Sequence, residues 1–201
     1  MITNLPCTAG MLLGSCLFAT VAGADYPERD EVIQQPLPAR FSVCFDHSCT
    51  TVVTASLNDA EWRRATAPFN GSLTSAEQER AVIARSIAIF EEIIGGHFGT
   101  SADRGRNLAG MFRQGQLDCI DEATNTTTYL RMLEQAGLLG FHRVEDTSTR
   151  FGLFAGMPHT TAVIRATASG RRFAVDSWFF DNGQPPYIVM LRDWKAGRDP
   201  D

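Results

Sequence analysis

The chain has 201 residues, 44% hydrophobic and 20% charged, with a net charge of -5. That length supports one domain with a sizeable core, and the composition excludes a disordered chain. No basic block stands out, which argues against nucleic-acid binding, because phosphate contacts need a clustered positive face.

The first element is apolar. "MLLGSCLFATVAGA", Met11 to Ala24, ends in the small-x-small pattern Ala22-Gly23-Ala24 before Asp25. It is too short for a comfortable membrane span, so no stable transmembrane segment is expected. Residues 1–24 read as a signal peptide and residues 25–201 as a single domain. The signal lacks a basic n-region, since Asp25 is the first charged residue. "LGSC" also resembles a lipoprotein box, which would leave Cys16 as a lipidated first residue. Both forms imply export, to the periplasm or outside the cell, with a lipid anchor in the second. A buried N-terminal helix is the plainer alternative, and Gly14 and Gly23 weigh against it.

Export leaves Cys44, Cys49 and Cys119. Residues 25 to 40, with Pro27, Pro36 and Pro38, read as an extended lead-in. "FSVCFDHSCTTVVTA" then reads as a hairpin around Asp46-His47-Ser48, with Cys44 and Cys49 across a short loop. That spacing suits a disulfide in an oxidising compartment. A metal held by Cys44, His47 and Cys49 would lack a fourth ligand, so no metal and no cofactor is expected.

"SLNDAEWRRATAPF" predicts a short helix capped by Asn58 or Asp59 and ending before Pro68. In "TSAEQERAVIARSIAIFEEIIGG", Thr74 and Glu77 form a capping-box pattern. Val82, Ile83, Ile87, Phe90, Ile93 and Ile94 share a helical face, and Gly95-Gly96 are expected to stop the helix. A glycine-rich loop follows. "QLDCIDEATNTTTYLRMLEQAGLL" predicts a helix starting near Cys119, capped by Asp118, with Gly137 at its C-cap. "LLGFHRV" reads as a strand, followed by a loop through Gly152 and Gly156. "HTTAVIRATASGRRFAVDSWFF" is the strongest hairpin signal, turning at Ala168-Ser169-Gly170. "QPPYIVMLRDW" adds a strand or a short helix. Helices followed by strands argue for an α+β domain with an antiparallel sheet.

Cys119 is the residue that invites chemistry. At a helix start, free backbone N–H groups favour thiolate over thiol and can receive an oxyanion. Asp118, Asp121 and Glu122 act the other way and raise the thiol unless a cation answers them. His159 opens one strand of the predicted hairpin and Asp176 closes the other. With an even loop, Asp176 faces His159 or Thr161, and either register puts imidazole and carboxylate on one sheet face. Asp176 can then hold one ring nitrogen while the other serves Cys119, the division of roles in a catalytic triad. Each residue also has a plain reading: a small buried thiol, a structural histidine, a turn-forming aspartate. His97 in "GGHFG" is a rival base on a predicted loop, while His47 and His142 lie outside the arrangement.

Taken together, "DCIDEATNTTTYLRMLEQAGLL", "HTTAVI" and "RRFAVDSW" resemble the transglutaminase-like cysteine peptidase superfamily, closest to the bacterial transglutaminase-like cysteine proteinases. The resemblance covers roughly residues 110 to 180. It implies a helix with an N-terminal cysteine packed on an antiparallel sheet, with Cys119 as nucleophile, His159 as base and Asp176 as the orienting carboxylate. It implies an exported cysteine peptidase or amidase that forms a thioester on a protein or peptide substrate, such as a cell-envelope or surface protein. The alternative is an inactive relative serving as a binding or scaffold module of the envelope. Many members have an aromatic residue soon after the histidine; here Thr160 and Thr161 stand there. The Cys119 N–H, with Gln114 or Gln116, is the expected oxyanion donor set. Trp178 and Phe179 either wall the site or pack the core.

Overall fold

The computed structural model describes residues 31–108, 110, 112–153 and 157–201; residues 1–24, read as a signal peptide, and Cys16 among them, lie outside. A two-stranded hairpin comes first, β1 (Phe41–Phe45) against β2 (Thr51–Ala55), with Phe41 opposite Ala55 and Phe45 opposite Thr51. Helix α1 (Asp59–Thr66) starts at Asn58, whose side chain accepts from the Ala60 and Glu61 amides. A short 3-10 turn carries the chain through Pro68.

Helix α2 (Ala76–Phe98) departs from expectation at both ends. Its N-cap is Ser75 rather than Thr74, and it runs through Gly95-Gly96 to stop at Gly99, which has φ 78°. Gly95 serves close packing instead of termination: a Cβ there would lie 3.0 Å from the Asn182 side chain and 3.1 Å from the Ser101 nitrogen. His97 therefore sits in the last turn of a helix, not on a loop, and pairs with Glu61 at 2.8 Å.

Helix α3 (Cys119–Gln135) precedes a four-stranded antiparallel sheet in the order β3 (His142–Leu153), β4 (Met157–Ala166), β5 (Arg172–Asp176), β6 (Tyr187–Met190). Strand β3 is much longer than "LLGFHRV". The polar run Glu145 to Thr149, expected in a loop, pairs with β4 at Glu145, Ser148 and Thr149, across a register shift between Glu145 and Ser148. "QPPYIVMLRDW" supplies both elements expected of it as alternatives, β6 and the short helix α4 (Leu191–Lys195). The domain is thus α+β with antiparallel sheets.

Strand alternation builds two apolar layers. Ala162 and Ile164 of β4, with Phe173 and Val175 of β5, join the main core under α2 and α3, with Ile87, Phe90 and Leu130. The intervening Val163 and Ala174 face the other way, onto Leu191 and Trp194 of α4. Among the described residues no helix is long and apolar enough to cross a membrane.

Candidate active site

The Cys119 side is built around the start of α3 and the β1–β2 loop. Asp118 caps α3: its Oδ1 accepts from the Ile120 and Asp121 amides, both at 2.9 Å, and Asp121 accepts from the Asp118 amide at 3.2 Å. Both carboxylates are gripped from outside by the hairpin loop. Asp46, His47, Ser48 and Cys49 have φ of 64°, 63°, 53° and 53°, four consecutive left-handed residues without a glycine. Each costs about 1–2 kcal/mol as an isolated preference. The turn points three amides inward, from His47 to Asp121 at 2.9 Å, Ser48 to Asp118 at 2.8 Å and Cys49 to Asp121 at 2.7 Å. The Cys44–Cys49 disulfide closes this loop, and Asn125 of α3 bonds both the amide and the carbonyl of Cys44 at 2.8 Å.

His47, Asp118 and Asp121 also bring possible metal-ligand atoms within 4.8 Å of one another. Their carboxylates already serve the loop and helix amides, so a cation would compete with the bonds that hold the loop. Cys44 and Cys49 are joined to each other and offer no thiolate.

The His159 side is built on the sheet. The β4–β5 register pairs Ala162 with Val175 and Arg165 with Arg172. Extended by one pair it sets Asp176 opposite Thr161, two residues from His159 and on the same face. His159 Nε2 meets Asp176 Oδ2 at 2.7 Å, with both side chains 1% exposed. The same oxygen accepts the Trp194 Nε1–H at 2.7 Å. The imidazole is walled by Trp178, Phe179 and Trp194, with ring centres 4.9, 5.4 and 5.4 Å away. Arg150, opposite His159 on β3, lies 4.5 Å over the Trp194 ring and pairs with Asp199.

The two sides meet at a cavity of about 170 Å³, lined by Cys119, His159, Asp118, Asn107 and Trp178 among others. Cys119 is the free cysteine of the described residues. Its sulfur faces the backbone amide of Thr160, the residue after His159. Alternation turns the His159 side chain toward α4, whereas α3 packs on the opposite face of the sheet. No hydrogen bond joins thiol and ring among the described residues.

To the two influences legible in the sequence, the helix start and the nearby acids, the structure adds burial. Burial, foremost, and then the charges of Asp118 and Asp176 push the Cys119 thiol up to about 12, against the lowering influence of the Thr160 amide and its own N–H. Of the three acids flagged from sequence, Asp121 is itself pushed up to about 7 and Glu122 well above the carboxylate range, both by burial first. These two therefore bring less charge to the thiol than their number suggests.

Gln114 and Gln116 are absent from the cavity lining. Gln116 is spent inside its own loop, accepting from the Arg104 amide and donating to the Ala102 carbonyl. Asn107, which sequence reading passed over, lines the cavity instead; its one signal was the Asn-x-x-Gly turn Asn107 to Gly110. Trp194 and Arg150 carried no pattern at all. Trp178 lines the cavity and Phe179 packs beside the imidazole. In comparisons with known proteins, no family model, curated protein or solved structure matches the chain.

Proposed function

We propose that the chain is an exported cysteine peptidase or amidase with a transglutaminase-like core, acting through Cys119, His159 and Asp176. The observation that carries this reading is an aspartate-tethered imidazole sharing one cavity with the unpaired thiol. With Nε2 donating to Asp176, Nδ1 is the ring's free base, and it makes no hydrogen bond to the described residues. His159 takes the thiol proton as Cys119 attacks a peptide or glutamine-type amide carbonyl. It then returns the proton to the leaving amine, giving a thioester. Water activated by the same ring hydrolyses the thioester, or an amine accepts the acyl group. A thiol raised to about 12 fits a nucleophile that stays protonated until substrate arrives. The Cys44–Cys49 disulfide supports an oxidising compartment, and with it a protein or peptide substrate of the cell envelope.

A second reading, an inactive envelope binding module, is favoured by the same raised thiol and by the missing thiol–imidazole bond. The test is trapping of an acyl-enzyme on Cys119 by mass spectrometry after mixing with an activated ester. The proposal expects one acyl adduct that Cys119→Ala and His159→Ala both lose. An adduct no faster to form than on a free thiol would favour the binding module.

A further inference from the structure

We infer that Asn107 is the side-chain oxyanion donor of this site, an inference that rests on the acyl-transfer reading. When the Cys119 sulfur bonds to the acyl carbon, the carbonyl electron pair moves onto oxygen and the thiol proton goes to His159. Collapse restores the C=O bond and expels the leaving amine, which takes that proton. The oxygen's charge needs donors held in place before the reaction begins. The Cys119 N–H, at the start of α3, is one. Asn107 shares the cavity with the sulfur and supplies the other.

The orientation of its amide is determined by groups that can act in only one way. A backbone N–H only donates and a backbone carbonyl only accepts. Gln116 donates Nε2–H to the Ala102 carbonyl at 2.9 Å and accepts the Arg104 N–H on Oε1 at 3.1 Å, which fixes its two ends. That Oε1 also accepts from Asn107 Nδ2, and Asn107 Oδ1 accepts the Gly110 N–H at 2.7 Å. Asn107 Nδ2 carries two hydrogens. Gln116 takes one, and among the described residues no second acceptor meets the other. Asn107, whose amide is oriented and keeps a spare N–H, is among the residues that line the cavity beside Cys119. Gly110 is part of the device: a Cβ there would lie 2.7 Å from Asn107 Cγ, so a larger residue must displace the amide.

The test separates oxyanion formation from thiol reactivity. Alkylation by iodoacetamide is a displacement at saturated carbon and forms no oxyanion. Acylation by p-nitrophenyl acetate forms one, and its burst of p-nitrophenolate gives the rate. Asn107→Ala and Gly110→Ala are expected to slow the burst on the order of 10²-fold, with Cys119 alkylation within about 2-fold of the unaltered protein. A burst at the original rate in both variants, or burst and alkylation falling in parallel, would overturn the assignment; the latter marks Asn107 as a structural residue of its loop. Should the unaltered protein show neither fast alkylation nor a burst, the acyl-transfer reading fails, and this inference with it.

Discussion

Two histidines are buried against carboxylates, and they differ in what remains of the ring. His142 Nδ1 meets Glu79 at 2.9 Å, and its Nε2 lies 3.3 Å from the Arg80 guanidinium. Glu79 also accepts the Gly140 and Phe141 amides, so the whole group clamps the α3–β3 connection onto α2. Both ring nitrogens are taken by protein. His159 has one nitrogen on Asp176, and the residue is among those lining a cavity that Cys119 also lines. A buried histidine–carboxylate pair is therefore no sign of catalysis in itself. What distinguishes a base from a clamp is a second nitrogen left for a substrate or nucleophile.

The comparison can be broken first where it promises most. Cys119→Ala and His159→Ala are each expected to lower ester hydrolysis on the order of 10⁴-fold or more while the fold persists by circular dichroism. Asp176→Asn keeps the shape but removes the charge that fixes the ring, and a loss of roughly 10²–10⁴-fold in kcat is expected. Comparable activity in any of these variants would put His159 beside His142 as a structural residue.

The clamp should respond in the opposite way. Glu79→Gln or His142→Phe breaks a buried pair and is expected to cost roughly 3 kcal/mol in urea unfolding, leaving hydrolysis per folded molecule unchanged. Burial, foremost, holds His142 below the ordinary histidine range despite Glu79. A histidine lowered in the folded state gives stability that is present above the unfolded value of about 6.5 and is lost as pH falls below it. Unfolding midpoints measured from pH 7 downward should therefore drop less steeply for His142→Phe than for the unaltered protein.

The smallest effect sharpens the base side. Trp194→Phe keeps an aromatic wall but deletes the Nε1–H bond to Asp176. A roughly 10-fold fall in kcat is expected, matching the loss of one hydrogen bond to a charged acceptor. An unchanged kcat would make Trp194 packing alone.

The sheet side of the site was legible because strand parity is a short-range rule. Arg165 pairs with Arg172 across an even loop, and that alone carries Asp176 to the face of His159. The start of α3 was legible from Asp118 by the same local logic of capping. The rest depends on contacts that sequence does not record. Gly95 looked like a helix stop because nothing in the sequence announces Asn182 against it. Glu145 to Thr149 looked like a loop because polar residues hide a strand whose partner, β4, supplies the pairing. The left-handed turn at residues 46–49 contains no glycine to signal it, and is bonded to carboxylates some 70 positions away. The helix start and the nearby acids, which pull the thiol in opposite directions, are local and visible in the sequence, whereas the burial that raises it most is global.

The most direct test is the pH dependence of Cys119 alkylation by iodoacetamide, with and without His159. If His159 accepts the proton as the sulfur attacks, the unaltered protein alkylates at neutral pH although burial holds its resting thiol up at about 12. His159→Ala should then react on the order of 10²-fold more slowly at neutral pH, its rate rising only in the alkaline range. If the unaltered protein follows that same alkaline climb, the imidazole does not serve the thiol and the account is wrong.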